Sequence, residues 1–447
     1  MIGREKKIEL ARWLLDPDKR QSPPSDWKSL EKKLKENGLE KVFEEIELPL
    51  VEILETMQEI GIKVDLNYLA RISKEIGSEI AVLVKTIYKL AGGEINLNSP
   101  KQLSKLLFEK LKISDQGIHK TKTGLRSTDA ETLAFINKSH KVVEPILKYR
   151  EIFKLKSTYV EPLRELADKK GRIHTTFVQT GTGTGRLSSQ NPNIQNIPIT
   201  SEWGKKIRAA FIAEAGYKVA AFDYSQIELR VLASVSGDKK MIEAFKQDMD
   251  IHKLTASQVY NVPVEKVTPE MRQVAKTLNF GVAYGMGPNA FAQVSGLNFE
   301  EAKKFIKEYY EDFYEIKIWQ EKTIQKARQT GYVKTLNGRR RLLPNINHPN
   351  RRFASADERV ATNMPIQGLA ADVIKLAMIK VAEKIKTKKW QKQVRMLLSV
   401  HDELVFEIAN GIIKEATELI KSEMENSYKL AVPLKVESGY GDNWLDA

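Results

Sequence analysis

Cysteine is absent from the 447-residue sequence. Disulfides and cysteine-held zinc or iron–sulfur centres are therefore excluded, and an intracellular (cytoplasmic) setting is the expectation. Long hydrophobic runs are missing too. None approaches the roughly 20 residues that cross a bilayer, and MIGREKKIELARWLLDPDKR contains no signal-peptide apolar region. Histidine is scarce, at 6 residues. No fixed-period repeat or low-complexity tract occurs. What remains is an ordinary globular composition, 42% hydrophobic and 29% charged, long enough for about two to four subdomains. Positive charge is in excess: 72 Lys and Arg against 58 Asp and Glu leave +14. That balance points to a polyanionic partner, either nucleic acid or an anionic membrane, and charge alone does not choose between them. Abundant Lys and Glu without Cys points to a thermophilic source.

Residues 1–43 are short, charged and interrupted by QSPPSD, a linker-like lead-in. From Asp65 the residues Leu66, Leu69, Ile72, Ile76, Ile80, Leu83, Ile87 and Leu90 keep helical spacing until Gly92–Gly93. A second helix opens at Ser99–Pro100. HKTKTG (119–124) and KYREIFKLKSTY (148–159) are basic; each read alone is a solvated face, and with the net charge they suggest a helical arm gripping phosphates. Residues 173–223 read as short strands and turns, 239–360 as largely helical, and 394–408 as a hairpin. The order of elements suits an α+β core with two helical lobes.

The hairpin LLSVHDELVFE (397–407) sets Asp402 and Glu403 in an apolar run, where an ionised carboxylate costs several kcal/mol unless compensated. KVAAFDYS (218–225) ends a buried strand on Asp223; the competing reading is an N-cap Asp. Carboxylates meeting across a sheet to share divalent cations answer both, and oxygen ligands favour Mg²⁺ or Mn²⁺ over Zn²⁺. In TPEMRQVAKTLNFGVAYG (268–285) Thr268 and Pro269 start a helix. Arg272, Lys276 and Phe280 then fall every four residues, within roughly 80° of one another. Two cations and an aromatic match a triphosphate followed by a sugar, with Tyr284 at the base-pair end; an exposed solvated stripe is the alternative. TGTGTGRLSSQNPNIQNIP (180–198) offers close backbone approach and minor-groove donors, or is simply a polar loop.

DYSQIELR, RQVAKTLNFGVAYG and SVHDELVF, in that order, resemble motifs A, B and C of family A DNA polymerases. TGTGRLSSQNPNIQNIP resembles the loop preceding motif A in the bacterial polymerase I group. The likeness continues through IELPLVEILETMQEIGIKVD (46–65), LNSPKQLSKLLFEKL (97–111), KLKSTY (154–159), DIHKLTA (250–256), LNGRRRLLP (336–344), NMPIQGLAADVIKLAM (363–378) and GDNW (441–444). It implies a right-hand fold with an antiparallel palm sheet: palm at 44–64, 166–235 and 361–447, thumb at 65–165, fingers at 236–360. Residues 1–43, with ARWLLDP, resemble the tail of a lost or removed 3′–5′ exonuclease domain. Nothing resembles an exonuclease Asp-x-Glu motif, so no nuclease activity is expected.

The resemblance also implies roles. Asp223, Asp402 and the carbonyl of Tyr224 would hold two Mg²⁺ ions, replaceable by Mn²⁺, with Glu403 accessory. Arg272 and Lys276 would bind the triphosphate, Lys276 also protonating pyrophosphate. Phe280 would pack on the incoming sugar, and Phe rather than Tyr there implies poor acceptance of dideoxynucleotides. Glu228 would be the steric gate against a 2′-OH, Tyr284 would stand beside the templating position, and Gln226 and His252 would join the nucleotide site. Arg186, Asn193, Gln195, Asn196, Arg359, Asn363, Gln367, His401, Lys154 and Lys156 would contact DNA. Thr200 stands where Arg is usual, which puts one cationic contact in doubt. The implied partners are primer–template DNA and deoxynucleoside triphosphates, with no membrane, and the chain a monomer. The implied activity is template-directed DNA synthesis in replication or repair, without proofreading; copying of RNA as a side activity stays open. A single-subunit RNA polymerase shares the two-Asp site, but Phe280 and Glu228 both crowd a ribose 2′-OH. A non-catalytic clamp conflicts with the complete set of carboxylates and cations.

Overall fold

The computed structural model describes residues 2–18, 23–121, 123–199 and 201–447. Gln21 and Ser22 of QSPPSD, Lys122 of the basic loop and Thr200 lie outside the described residues.

The N-terminal stretch is more than a linker-like lead-in. Helix α1 (Arg4–Leu15) and helix α2 (Trp27–Glu36) form a small unit of their own. Asp26 caps α2 by accepting from the Ser29 N–H at 2.9 Å. Leu10, Leu14, Leu30 and Leu34 are buried together against Phe43 and Val51. Charged flanks hid this core in the sequence, because each helix buries only a narrow stripe.

The helix Leu66–Ala91 forms as its spacing predicts. Asp65 accepts from the Tyr68 N–H at 2.8 Å at one end, and Gly92 takes a left-handed φ of 65° at the other. It packs on the helix Val143–Leu155. A separate apolar core around Leu103, Leu107, Ile146 and Tyr149 fills this lobe. The second lobe is helical around Phe291, Tyr309 and Phe313, all fully buried. A 37-residue helix, Arg351–Thr387, runs from that lobe and buries Ile366 to Val381 in the main core.

The strands, in chain order, are β1 (Ile62–Val64), β2 (Arg172–Ile173), β3 (Thr176–Val178), β4 (Ser188–Gln190), β5 (Phe211–Ile212) and β6 (Tyr217–Tyr224). Then follow β7 (Tyr332–Lys334), β8 (Arg340–Leu342), β9 (Val394–Val400), β10 (Glu403–Ala409) and β11 (Val436–Gly441). The main sheet has order β11-β6-β10-β9 and every pairing is antiparallel. Nearly continuous burial of β6, β9 and β10 shows that both faces are covered, which explains their unbroken apolar runs.

Two ionic clusters tie the segments together. Glu47, Arg339, Asp372 and Lys375 are at most 2% exposed. Arg339 bonds Glu47 and reaches Asp372 at 2.7 and 2.9 Å, while Lys375 donates to Glu47 at 2.7 Å. Burial opposes ionisation of Glu47, but Lys375 and Arg339 outweigh it and hold the carboxyl below its usual range. Under the sheet, Glu407 accepts from Arg172 at 2.7 Å and from Arg395 at 2.8 Å.

Candidate active site

The strand pairing decides the first question. Asp223 lies directly opposite Glu403 on one neighbouring strand and opposite Glu437 on the other. Facing residues on adjacent antiparallel strands have Cβ atoms roughly 5 Å apart and point to the same side. Glu437, Asp223 and Glu403 therefore form a row of like charges across β11, β6 and β10. Asp402 is next to it, its carbonyl accepting from the Tyr224 N–H at 3.2 Å. Asp223 is part of β6, and the helix that follows is preceded by Gln226 without a side-chain cap, so the N-cap reading of Asp223 fails.

One expectation is corrected. The carboxylates are not sealed in the core: Asp223 is exposed, and Asp402 and Glu403 are half-buried. They line an open cleft of about 410 Å³ with His401, Glu437 and Arg208. The reason is the hairpin turn. Val400 pairs with Glu403, so His401 and Asp402 are the whole connection, and His401 takes a left-handed φ of 55° there. The apolar run stops at the turn and releases its acids into the cleft.

Electrostatics in the cleft is unfavourable for bare carboxylates. Restricted hydration, then the charges of Asp402, Glu403 and Glu437, push Asp223 up to about 7. Burial raises Asp402, against the opposing pull of its own backbone amide, His401 and Arg186. Burial also raises Glu403, opposed by the Trp444 hydrogen bond and Arg208. Among the described residues no three Asp, Glu or His side chains close into a cage around one point. Two carboxylates and a main-chain carbonyl, with the rest of the shell left to phosphate and water, is nonetheless the donor set that suits Mg²⁺. A row of repelling carboxylates in a polar, open cleft fits that ion.

Arg208 and Glu437 line this cleft, and Trp444 is buried against Glu403; none of the three was read as a site residue. Trp444 donates its indole N–H to Glu403 at 2.8 Å, and the Arg208 guanidinium stands 4.0 Å over the indole ring and 3.6 Å from Glu403. GDNW was a visible signal for Trp444; Arg208 and Glu437 carry none in their local sequence. Tyr224 is anchored through its hydroxyl to Met424 O at 2.7 Å and Ser427 at 2.9 Å, fixing the strand end.

The helix Pro269–Ala283 starts at Thr268, as its sequence predicts, and ends two residues before Gly285. Arg272 is held by Asp250 at 2.7 Å, and Lys276 is exposed one turn on. Phe280 lies 5.9 Å from the His252 ring. His252 is buried and bonded to Asn279 at 3.0 Å; burial, with Arg272 and Lys276 nearby, lowers it to about 4, so it is neutral at pH 7. Tyr284 donates to Glu228, and Arg186 donates to the other oxygen of the same carboxylate. Burial raises Glu228, and Arg186 opposes that rise. Nucleotide-side and palm-side residues thus meet at Glu228.

The remaining residues divide. Arg186, Gln195 and His401 line one small cavity, with Gln195 donating to Ser399 O at 2.9 Å. Gln226 and Asn363 each bury an unpartnered amide oxygen. Arg359 packs beside Gly285, and Gln367 is half-buried on the same helix as Asn363. Asn193 is turned inward, accepting from the Gln195 N–H at 3.1 Å, so local turn chemistry explains it as well as DNA does. Asn196 is exposed at the end of that turn. Lys154 and Lys156 are on the first lobe, where Lys156 approaches Glu161 at 3.8 Å, and neither lines the carboxylate cleft.

Carboxylates on a central antiparallel sheet, flanked by two helical lobes, define a hand-shaped α+β fold. Residues 66–446 match the model of DNA polymerase family A. The chain is 47% identical over 408 residues to the thermostable DNA polymerase I of Thermus thermophilus, covering 91% of this chain and 48% of that protein. It is 46% identical over 420 residues to DNA polymerase I of Bacillus subtilis, covering 94% and 47%. Among solved structures, the POL domain of Pol1 from M. smegmatis, in complex with DNA primer-template and dNTP, superposes with a TM-score of 0.92 at 38% identity, covering 98% of this chain and 82% of that one. The chain belongs to DNA polymerase family A, and its fold is the right hand of that family. It spans about half the length of the curated relatives it matches.

Proposed function

We propose that this chain adds deoxynucleotides to a primer 3′-OH under the direction of a template, in DNA replication or repair synthesis. The carboxylate row across the strand ends carries this reading, and the partners named for the M. smegmatis domain support it. Asp223, Asp402 and the Tyr224 carbonyl would hold two Mg²⁺ ions, with Mn²⁺ able to substitute. When bound, such ions lower the cost of charge on an attacking hydroxyl and a departing pyrophosphate.

The chain's own residues do the rest. Arg272, pre-aligned by Asp250, and Lys276 receive the triphosphate, and Lys276 hands a proton to pyrophosphate. Phe280 packs on the sugar against neutral His252. Glu228, held by Arg186 and Tyr284, fills the space of a ribose 2′-OH. Palm (44–64, 166–235, 361–447), thumb (65–165) and fingers (236–360) are assigned as in the sequence reading; the separate core around Leu103 and Ile146 supports the thumb, while palm and fingers share one core. The protein is read as a monomer, and the Thermus relatives support a heat-stable one.

A labelled primer on a DNA template with Mg²⁺ and dNTPs should lengthen, and NTPs should give little product. No extension with any nucleotide would overturn the reading. Phe280→Tyr should improve dideoxynucleotide use by about 1–3 kcal/mol, as hydroxyl-sensing sites do; unchanged termination ladders would remove Phe280 from the sugar contact. Primer–template affinity should fall about a thousand-fold between roughly 50 and 200 mM salt if about six phosphates are neutralised. A log–log plot without slope would refute the cationic grip.

A further inference from the structure

We infer that α1 is a strut for the glycine-rich loop 180–186, making Trp13 and Glu9 positioning residues for sugar selection at Glu228. The inference rests on the polymerase reading above.

The loop TGTGTGR is poorly suited to hold itself. Its glycines carry the largest backbone entropy of any residue, so a defined path needs outside anchors. The anchors come from α1. The indole N–H of Trp13, 5% exposed, donates to Thr182 O at 3.2 Å. The Thr180 hydroxyl donates to Glu9 Oε1 at 3.0 Å. Just beyond α1, Asp18 binds Arg341 at 3.0 Å, and Gly183 sits against that pair: a Cβ there would stand 2.7 Å from Asp18 Oδ1 and 2.8 Å from Arg341 Cζ. At Gly185, with φ +90°, a Cβ would meet the Arg339 side chain at 2.7 Å. Trp13 in turn faces Arg339 at 5.3 Å and Lys375 at 5.4 Å. The loop is therefore clamped between α1 and the buried ionic cluster.

From the clamp the path to the gate is short. Thr182, whose carbonyl takes the Trp13 bond, donates its hydroxyl to Arg186 O at 2.9 Å. Arg186 then grips Glu228, the carboxylate that Tyr284 holds from the other side. The Arg186 side chain is 40% exposed, so packing does little to fix it and its backbone must. Loosening α1 lets Arg186 wander and frees one side of Glu228, while the carboxylate row at Asp223 is left alone.

The test compares Trp13→Phe/Glu9→Ala with Glu9→Gln, which keeps an oxygen acceptor for Thr180. The double variant should speed amide hydrogen exchange across 180–187 by about five-fold, the weight of two lost hydrogen bonds at the weak end of their range. It should raise KM for a deoxynucleotide with little change in kcat, and lower deoxy-over-ribo selectivity by about the same five-fold factor. Glu9→Gln should behave as wild type. In an Arg186→Ala background the double change should add nothing to selectivity. Unchanged exchange at 180–187, selectivity kept while exchange rises, or full additivity with Arg186→Ala would each overturn the inference. A wild-type chain that extends no primer would instead overturn the polymerase reading and sugar selection with it, and the exchange comparison would still decide whether α1 is a strut.

Discussion

Asp402→Ala should abolish primer extension, by about a thousand-fold or more, and leave primer–template affinity within a small factor. The size follows from the position. Asp402 shares the cleft with Asp223, and on the proposed reading the pair would hold the divalent ions. Losing that charge stabilisation of the transferring phosphoryl group costs several kcal/mol, and each ~1.4 kcal/mol is tenfold in rate. Affinity barely changes, because duplex binding draws on Lys and Arg spread along the phosphate track rather than on an acid in the turn. Removing Asp402 should also relieve repulsion on Asp223, whose pKa of about 7 has Asp402 among its causes. Gel-resolved extension alongside fluorescence anisotropy checks both halves. A variant that extends at the wild-type rate takes Asp402 out of the metal role; one that no longer binds DNA makes it structural.

Glu47→Ala should be the most destabilising single change in the palm, by about 3–5 kcal/mol, the cost of stranding buried charge. Glu47 is fully buried and is a shared acceptor for Arg339 and Lys375, while Gln179 donates to its carbonyl at 2.7 Å. Without it, Asp372 alone faces two buried cations. Glu47→Gln keeps the shape and one acceptor and should lose less. Urea unfolding followed by tryptophan fluorescence reads the difference; a loss under about 1 kcal/mol, the scale of an exposed ion pair, would show that water or rearrangement relieves the cluster. The long spans involved explain the choice of this site: residues 47, 339 and 375 come from three segments, and their contacts close the hand.

Local rules carried the sequence reading where the signals were local. Asp65 and Gly92 bound their helix, and Thr268 and Pro269 begin theirs, because caps and glycine stops act within a turn. The hairpin over 394–408 was legible too, but not that His401 and Asp402 alone make its turn. Pairing across distance was not. That Asp223 faces Glu437 as well as Glu403 depends on β11 joining β6, and Arg208 reaches the cleft from the helix Glu202–Ala209. Composition misled at the N-terminus, where a high charge content concealed Leu10, Leu14, Leu30 and Leu34 as one core. It misled at the turn too, where apolar neighbours suggested acids buried deeper than they are. Motif resemblance named Glu228 and Tyr284 separately; only coordinates show them sharing one hydrogen bond.

The strand order β11-β6-β10-β9 has a consequence for how the molecule is made. On a ribosome β6 emerges first, and its neighbour β10 follows roughly 180 positions later, a wait of roughly 10 to 40 s at ordinary elongation rates. Through that interval an apolar strand stands with both edges bare, the condition that invites pairing with other chains. The nascent polymer therefore needs shelter, from a chaperone or from its own earlier helices, until β10 and then β11 arrive. Slow synonymous codons between positions 225 and 400 should lengthen that exposure and lower soluble yield without altering a single residue.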